Sequence, residues 1–163
     1  MAKSEHLGQI RKMLLGHRWV ALATVDKQGL PAASMVAYAP GTEEGVLYLH
    51  LSGLAAHTRE LRRQPRASLV LGECDTGEGD PQQLARLTLH GRCSAIAPDD
   101  IGYAAAKGCY LRRLPDAERL FGFGDFILFR FEMVGGRFVG GFGQAHSYSG
   151  EELRQLLRGN GDE

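Results

Sequence analysis

Hydrophobic positions recur along the chain with two periods, and the switches between them mark the elements. Leu7, Ile10, Met13 and Leu14 are spaced by three and four, with Gln9, Arg11 and Lys12 between them. This predicts a helix over 4–16, with Ser4 as its cap, Glu5 in its first turn and Gly16 at its end. Trp19 to Val25 is β-prone, Asp26-Lys27-Gln28-Gly29 has turn chemistry, and Pro31 to Tyr38 resumes as a strand, so the pair reads as a hairpin. After Pro40-Gly41, Val46 to Leu51 is a third strand, Leu54 to Arg63 a short helix stopped ahead of Pro65, and Ala67 to Glu73 a fourth strand.

The segment from Cys74 to Pro81 is too polar and glycine-rich to pack and reads as a surface loop. From Leu87 to Ala95 the odd positions are apolar or small and the even ones polar, the period of a strand with one wet face. Asp99 and Asp100 open a helix. Phe126 to Met133, a turn at Gly135-Gly136 and Arg137 to Gly140 read as a last hairpin, and Ser149 with Glu152 forms a capping box for a terminal helix over about 149–158. Strands dominate and regular β-α-β alternation is absent, so a mainly β single domain over 1–163 is expected, with a small closed or split barrel spanning about 19–141. Barrels of this size hold little inner volume, so a ligand belongs outside or between two barrels, which points to a dimer.

Composition narrows the class. Forty-four per cent hydrophobic against 23% charged residues is ordinary for a globular protein, and 19 basic residues balance 19 acidic ones. No global field draws such a chain to nucleic acid or anionic lipid, and neither partner is expected. Cys74, Cys93 and Cys109 are odd in number and widely spaced, which signals neither a disulfide framework nor a zinc site. No apolar run approaches a membrane span and the first residues lack a signal-peptide core, so a cytoplasmic location is expected.

The stretch from His50 to Leu61 carries the most chemistry. A strand ends, Ser52-Gly53 makes a turn, and a helix begins with His57, Thr58 and Arg59 near its first turn, an arrangement able to hold a phosphate. The same spacing suits a capped helix whose His57 and Arg59 are merely solvated. Small residues ahead of Ser34 and Met35 suit either the approach of a flat ring to a strand or plain packing. Arg86 and Thr88 share one strand face and suit polar recognition or a wet surface. His146 follows the glycines around Phe142, where a histidine serves as a haem ligand, as an acid or base, or simply as a surface residue. No nucleophile elbow, Walker loop, dinucleotide fingerprint or zinc-protease motif is present, and no catalytic acid or base is singled out.

Taken together, Ala21 to Asp26 with Gly29 and Pro31, the Ser34-Met35-Val36 segment and Ser52-x-Leu54-Ala55-x-His57-Thr58-Arg59-x-Leu61 resemble the FMN-binding split-barrel superfamily typified by pyridoxamine 5′-phosphate oxidase. Arg86-Leu87-Thr88-Leu89-x-Gly91, Asp125 to Arg130 and Phe138-Val139-x-Gly141-Phe142-Gly143-Gln144-Ala145 resemble the HugZ/HutZ-type haem-utilisation subgroup. The resemblance implies a homodimer of six-stranded Greek-key split barrels with FMN at the interface. Ser34, Met35 and Val36 would line the isoalloxazine and ribityl chain. Ser52, Leu54, His57, Thr58 and Arg59 would surround the phosphate, with Arg86 and Thr88 as further contacts. An FMN-dependent oxidoreductase acting on a small molecule is then the leading expectation, with a haem-binding or haem-degrading protein, or a non-catalytic flavin module, as alternatives. The haem alternative gives the iron either to His146 or to no protein ligand: the subgroup's ligand lies in a C-terminal loop, whereas here Leu153 to Glu163 contains no histidine and His146 sits earlier, inside the motif.

Overall fold

Alternation of inward apolar and outward small or polar side chains builds one antiparallel sheet that curls until it meets itself. In the computed structural model, which describes residues 3–159, the strands are β1 (Trp19–Val25), β2 (Pro31–Gly41), β3 (Val46–Ser52), β4 (Arg66–Gly72), β5 (Arg86–Ile96), β6 (Phe126–Val139) and β7 (Ala145–Ser149). Their order is β3-β2-β1-β4-β5-β6-β7, and an additional β3–β6 pairing closes the first six into a barrel. The return of β4 to the far side of β1 is a Greek key. Residues 1, 2 and 160–163, the ends of the expected 1–163 unit, lie outside the described residues.

Among the described residues, five α-helices flank the barrel: α1 (Leu7–Gly16), α2 (Ala56–Arg63), α3 (Tyr103–Arg113), α4 (Glu118–Phe121) and α5 (Gly150–Arg158). The apolar faces of α1 and α5, with Ile10, Leu14, Leu153 and Leu157 fully buried, join the barrel interior of Leu22, Leu69, Leu89, Phe131 and Phe138 in one core. The buried Tyr38 hydroxyl donates to the carbonyl of Leu14 at 2.8 Å and ties α1 to β2. A second, smaller cluster of Ala39, Tyr48, Ile96, Tyr110 and Leu128 seats α3 against the outside of the barrel.

The structure corrects several expectations. Ser4 lies within a 3-10 turn over Lys3–His6, and α1 begins after His6 with no side-chain cap. The turn expected at Gly135-Gly136 does not form: β6 runs unbroken for 14 residues past both glycines. Gly136 serves close approach, since a methyl there would meet the Thr88 carbonyl oxygen at 2.9 Å and Leu153 at 3.1 Å. The last hairpin instead joins β6 to β7, which extends the sheet beyond residue 141. The helix after Asp99-Asp100 starts only at Tyr103, while the Asp100 carboxylate accepts from the amide of Ala97. The capping box of α5 is present as read, with Ser149 accepting from the amide of Glu152.

Candidate functional site

β2 pairs with β1 from Pro31 to Ala37 but with β3 only from Tyr38 to Gly41, whereas β3 runs on beside β6 to Ser52. The two strands therefore diverge and leave a cleft of about 420 Å³. Met35 and Val36 of β2, Trp19 of β1, His50 and Ser52 of β3 and His57 of α2 form one wall, and Tyr110, Leu114, Arg119 and Leu120 from the α3–α4 region form the other, with Arg18 at the rim. Apolar walls with a few polar groups are what a planar organic ligand requires.

Two histidines face this space and both are held neutral. His50, 7% exposed, stacks on Phe121 at 3.7 Å and meets Tyr110 edge-on at 5.7 Å. Burial, aided by the nearby Lys107 ammonium, pushes its pKa down to about 4. Its Nδ1 is buried without a hydrogen-bond partner. Burial also lowers the pKa of His57 against the opposing pull of Glu60. A neutral imidazole keeps a nitrogen lone pair for a metal or a proton.

The residues expected to hold a phosphate are arranged otherwise. Ser52 donates its hydroxyl to the Asp125 carboxylate at 2.8 Å, the amide of Gly53 donates to the Asp125 carbonyl at 2.6 Å, and the amide of Leu54 donates to the Ser52 hydroxyl at 3.2 Å. Thr58 is fully buried with its hydroxyl unpartnered, and Arg59 turns back to the carbonyl of Leu54, beside a separate polar pocket shared with Asp26 and Glu60. Leu54 is exposed. The α2 helix begins at Ala56, later than expected, and Ser52 is not its cap.

Of the expected residues, the structure brings Met35, Val36, Ser52 and His57 to the cleft. Ser34 is half-buried opposite Leu22 and does not line it. Arg86, whose guanidinium donates to the carbonyls of Gln82 and Leu84, and Thr88 lie on β5, separated from β2 by β1 and β4. His146 sits on β7 opposite Phe138, away from the cleft, with its ring 5.2 Å from that of His6. Sequence reasoning missed Arg18, His50, Arg119 and Asp125. His50 stands two residues before Ser52 on the same strand, and that alternation was a usable signal; nothing in the sequence marks Arg119.

A closed six-stranded antiparallel barrel flanked by helices is the pyridoxamine 5′-phosphate oxidase-like fold class. A Clostridium acetobutylicum protein of the pyridoxinephosphate oxidase family shares that fold, with a TM-score of 0.68 and 13% identity over 93% of this chain and 99% of its own. Within the class, the chain belongs to the CREG β-barrel family, whose sequence profile matches residues 2–154. It is 32% identical over 148 residues to the haem oxygenase HutZ of Vibrio cholerae, covering 89% of this chain and 82% of HutZ. It is 33% identical over 154 residues to the chloroplastic haem oxygenase HOZ of Arabidopsis thaliana, covering 92% of this chain but 45% of the plant protein. A haem-binding protein of Mycobacterium smegmatis superposes with a TM-score of 0.81 and 29% identity, over 94% of this chain and 61% of that one. The chain thus spans about half of the plant relative and most of HutZ. Among the described residues, no helix is long and apolar enough to cross a membrane.

Proposed function

We propose that this protein binds haem in the cleft between β2 and β3 and belongs to haem utilisation rather than to flavin-dependent oxidation. The observation that carries this reading is the Asp125 carboxylate on the Ser52 hydroxyl, a negative charge at the position where the resemblance to FMN-binding barrels would put a phosphate. Apolar walls at Met35, Trp19 and Leu120 suit a macrocycle, His57 offers a neutral imidazole, and Arg18 and Arg119 at the cleft suit propionates. The relatives HutZ and HOZ, named as haem oxygenases, point the same way. Bound haem supplies iron and oxygen chemistry; the chain supplies a ligand nitrogen, apolar walls and counter-charges. Degradation of that haem is the enzymatic form of the proposal.

A homodimer accompanies this reading. Trp19, Met35 and Val70 are exposed apolar side chains, and Ala21, which pairs with both Met35 and Val70, lies between the last two on the outer sheet face. Such a face, continued by Thr88 opposite Val70 on β5, suits a second copy. FMN is the second reading, favoured by the position of the cleft along Met35 and Val36.

The test is haem and FMN addition to separate samples of purified protein, each followed by desalting and an absorbance spectrum. The expected result is a retained Soret band that His57→Ala alters and His146→Ala leaves in place. Retained flavin without a Soret band overturns the haem reading. Loss of the Soret band with reductant and oxygen, absent in a sample kept anaerobic, marks degradation.

A further inference from the structure

We propose a second site, independent of the haem reading, in which His6 and His146 bind a divalent transition-metal ion between the N-terminal segment and β7. His6 is only 2% exposed, yet its Nε2 is fully buried with no hydrogen-bond partner. A buried ring nitrogen without a partner is costly, and a bound ion would satisfy it. The ring of His146 faces it at 5.2 Å between centroids with the planes inclined by 37°. Two imidazoles sharing one tetrahedral ion at about 2.0–2.1 Å from each nitrogen place their ring centroids about 5 Å apart. The spacing fits a shared ion, and the planes are inclined rather than stacked.

An oxygen donor, Oε1 of Gln144, lies near the same glycine as His6. A methyl on Gly140 would lie 2.9 Å from Cε1 of Phe138, 3.2 Å from Cε1 of His6 and 3.4 Å from Oε1 of Gln144, so the His6 ring edge and the amide oxygen border one space against the Phe138 ring. The β6–β7 loop is built for this approach: the amide of Gly140 donates to the carbonyl of Gln144 at 2.9 Å, and Gly141 and Gly143 adopt positive φ. Phe138 packs 5.1 Å from the His6 ring and walls off one side. Two imidazoles and an amide oxygen, with solvent completing the shell at the half-exposed His146, favour zinc, nickel or copper over magnesium or calcium. The ion would clamp the segment ahead of α1 to the strand ahead of α5.

Chelator-stripped, haem-free full-length protein titrated with Co²⁺, and then with Zn²⁺ in competition, tests the site. Visible d–d bands that Zn²⁺ displaces are expected. His146→Ala, which leaves the buried His6 in place, should weaken binding by about tenfold or more with an unchanged far-ultraviolet circular dichroism spectrum, and His6→Ala should do the same. Gln144→Glu, which supplies a charged oxygen, should tighten binding, and His90→Ala on the opposite sheet face should not change it. Absence of d–d bands, bands that survive both histidine substitutions, or an affinity insensitive to Gln144→Glu overturns the assignment.

Discussion

Ser52 at the end of β3 and Asp125 just ahead of β6 are joined by a 2.8 Å hydrogen bond between residues 73 apart in the chain. With the amide of Leu54 donating to the same hydroxyl, the bond closes Ser52-Gly53-Leu54 into a turn that carries a carboxylate. Asp125→Ala frees the Ser52 hydroxyl and removes the charge while sparing the backbone bond from Gly53. The variant should bind FMN more tightly than the parent by about 1–3 kcal/mol, read as the flavin dissociation constant by fluorescence quenching. An equal or weaker affinity would falsify the role given to this carboxylate.

Stability should fall with pH through the range set by His50. Its folded pKa of about 4 lies below the ordinary 6.5 because burial disfavours the cation. As pH drops from 6.5 toward 4, the unfolded state binds the proton first. Stability present above 6.5 is then lost progressively, by at most about 3 kcal/mol. The lowered pKa of His57 adds a contribution of the same sign. His50→Phe keeps an aromatic ring against Phe121 and removes the titrating group, so its urea midpoint should shift less between pH 7.5 and pH 5 than that of the parent.

Gly91 marks the β5 bulge, where the register with β6 shifts between His90 and Gly91. A methyl there would press into the Phe131 ring and lie 2.5 Å from the carbonyl oxygen of Glu132. Neither neighbour has room to retreat inside the barrel. Gly91→Ala should cost about 3 kcal/mol, measured by equilibrium denaturation, and a loss under 1 kcal/mol would show that the bulge absorbs the methyl.

Tyr38→Phe removes the hydroxyl that bonds the Leu14 carbonyl near the end of α1. The carbonyl is left without its partner in a buried setting, for a loss of about 1–2 kcal/mol. Amide hydrogen exchange should quicken in α1 before it quickens in the barrel strands.

The strands were legible because their periodicity is local. Leu87, Leu89, Gly91 and Cys93 alternate with Thr88, His90 and Arg92, and that pattern survives in any environment with one wet face. Gly135-Gly136 was misread because adjacent glycines signal both a turn and a place where other atoms come close, and Thr88 and Leu153 decide between the two from far away in sequence. The cleft was legible on its strand side, through Met35, Val36, Ser52 and His57. Its helical wall was not, since Arg119 sits near an exposed connection with no period, and its role depends on how α3 docks against Tyr48 and Ile96. The pairing of Ser52 with Asp125 is likewise a product of β3 meeting β6, which no local pattern encodes.

The unbroken course of β6 also sets the order of events during synthesis. Until residues 126–139 emerge from the ribosome, β3 and β5 each present an unpaired edge, and both edges later find their partner in this one strand. The nascent chain therefore carries two sticky borders through the whole interval in which α3 and α4 are being made. Sealing waits on contacts distant in sequence, which form slowly. A substitution that delays β6 pairing, such as one at the buried Phe129 or Phe131, should show lost yield and chaperone dependence in cells beyond what its lowered melting temperature explains.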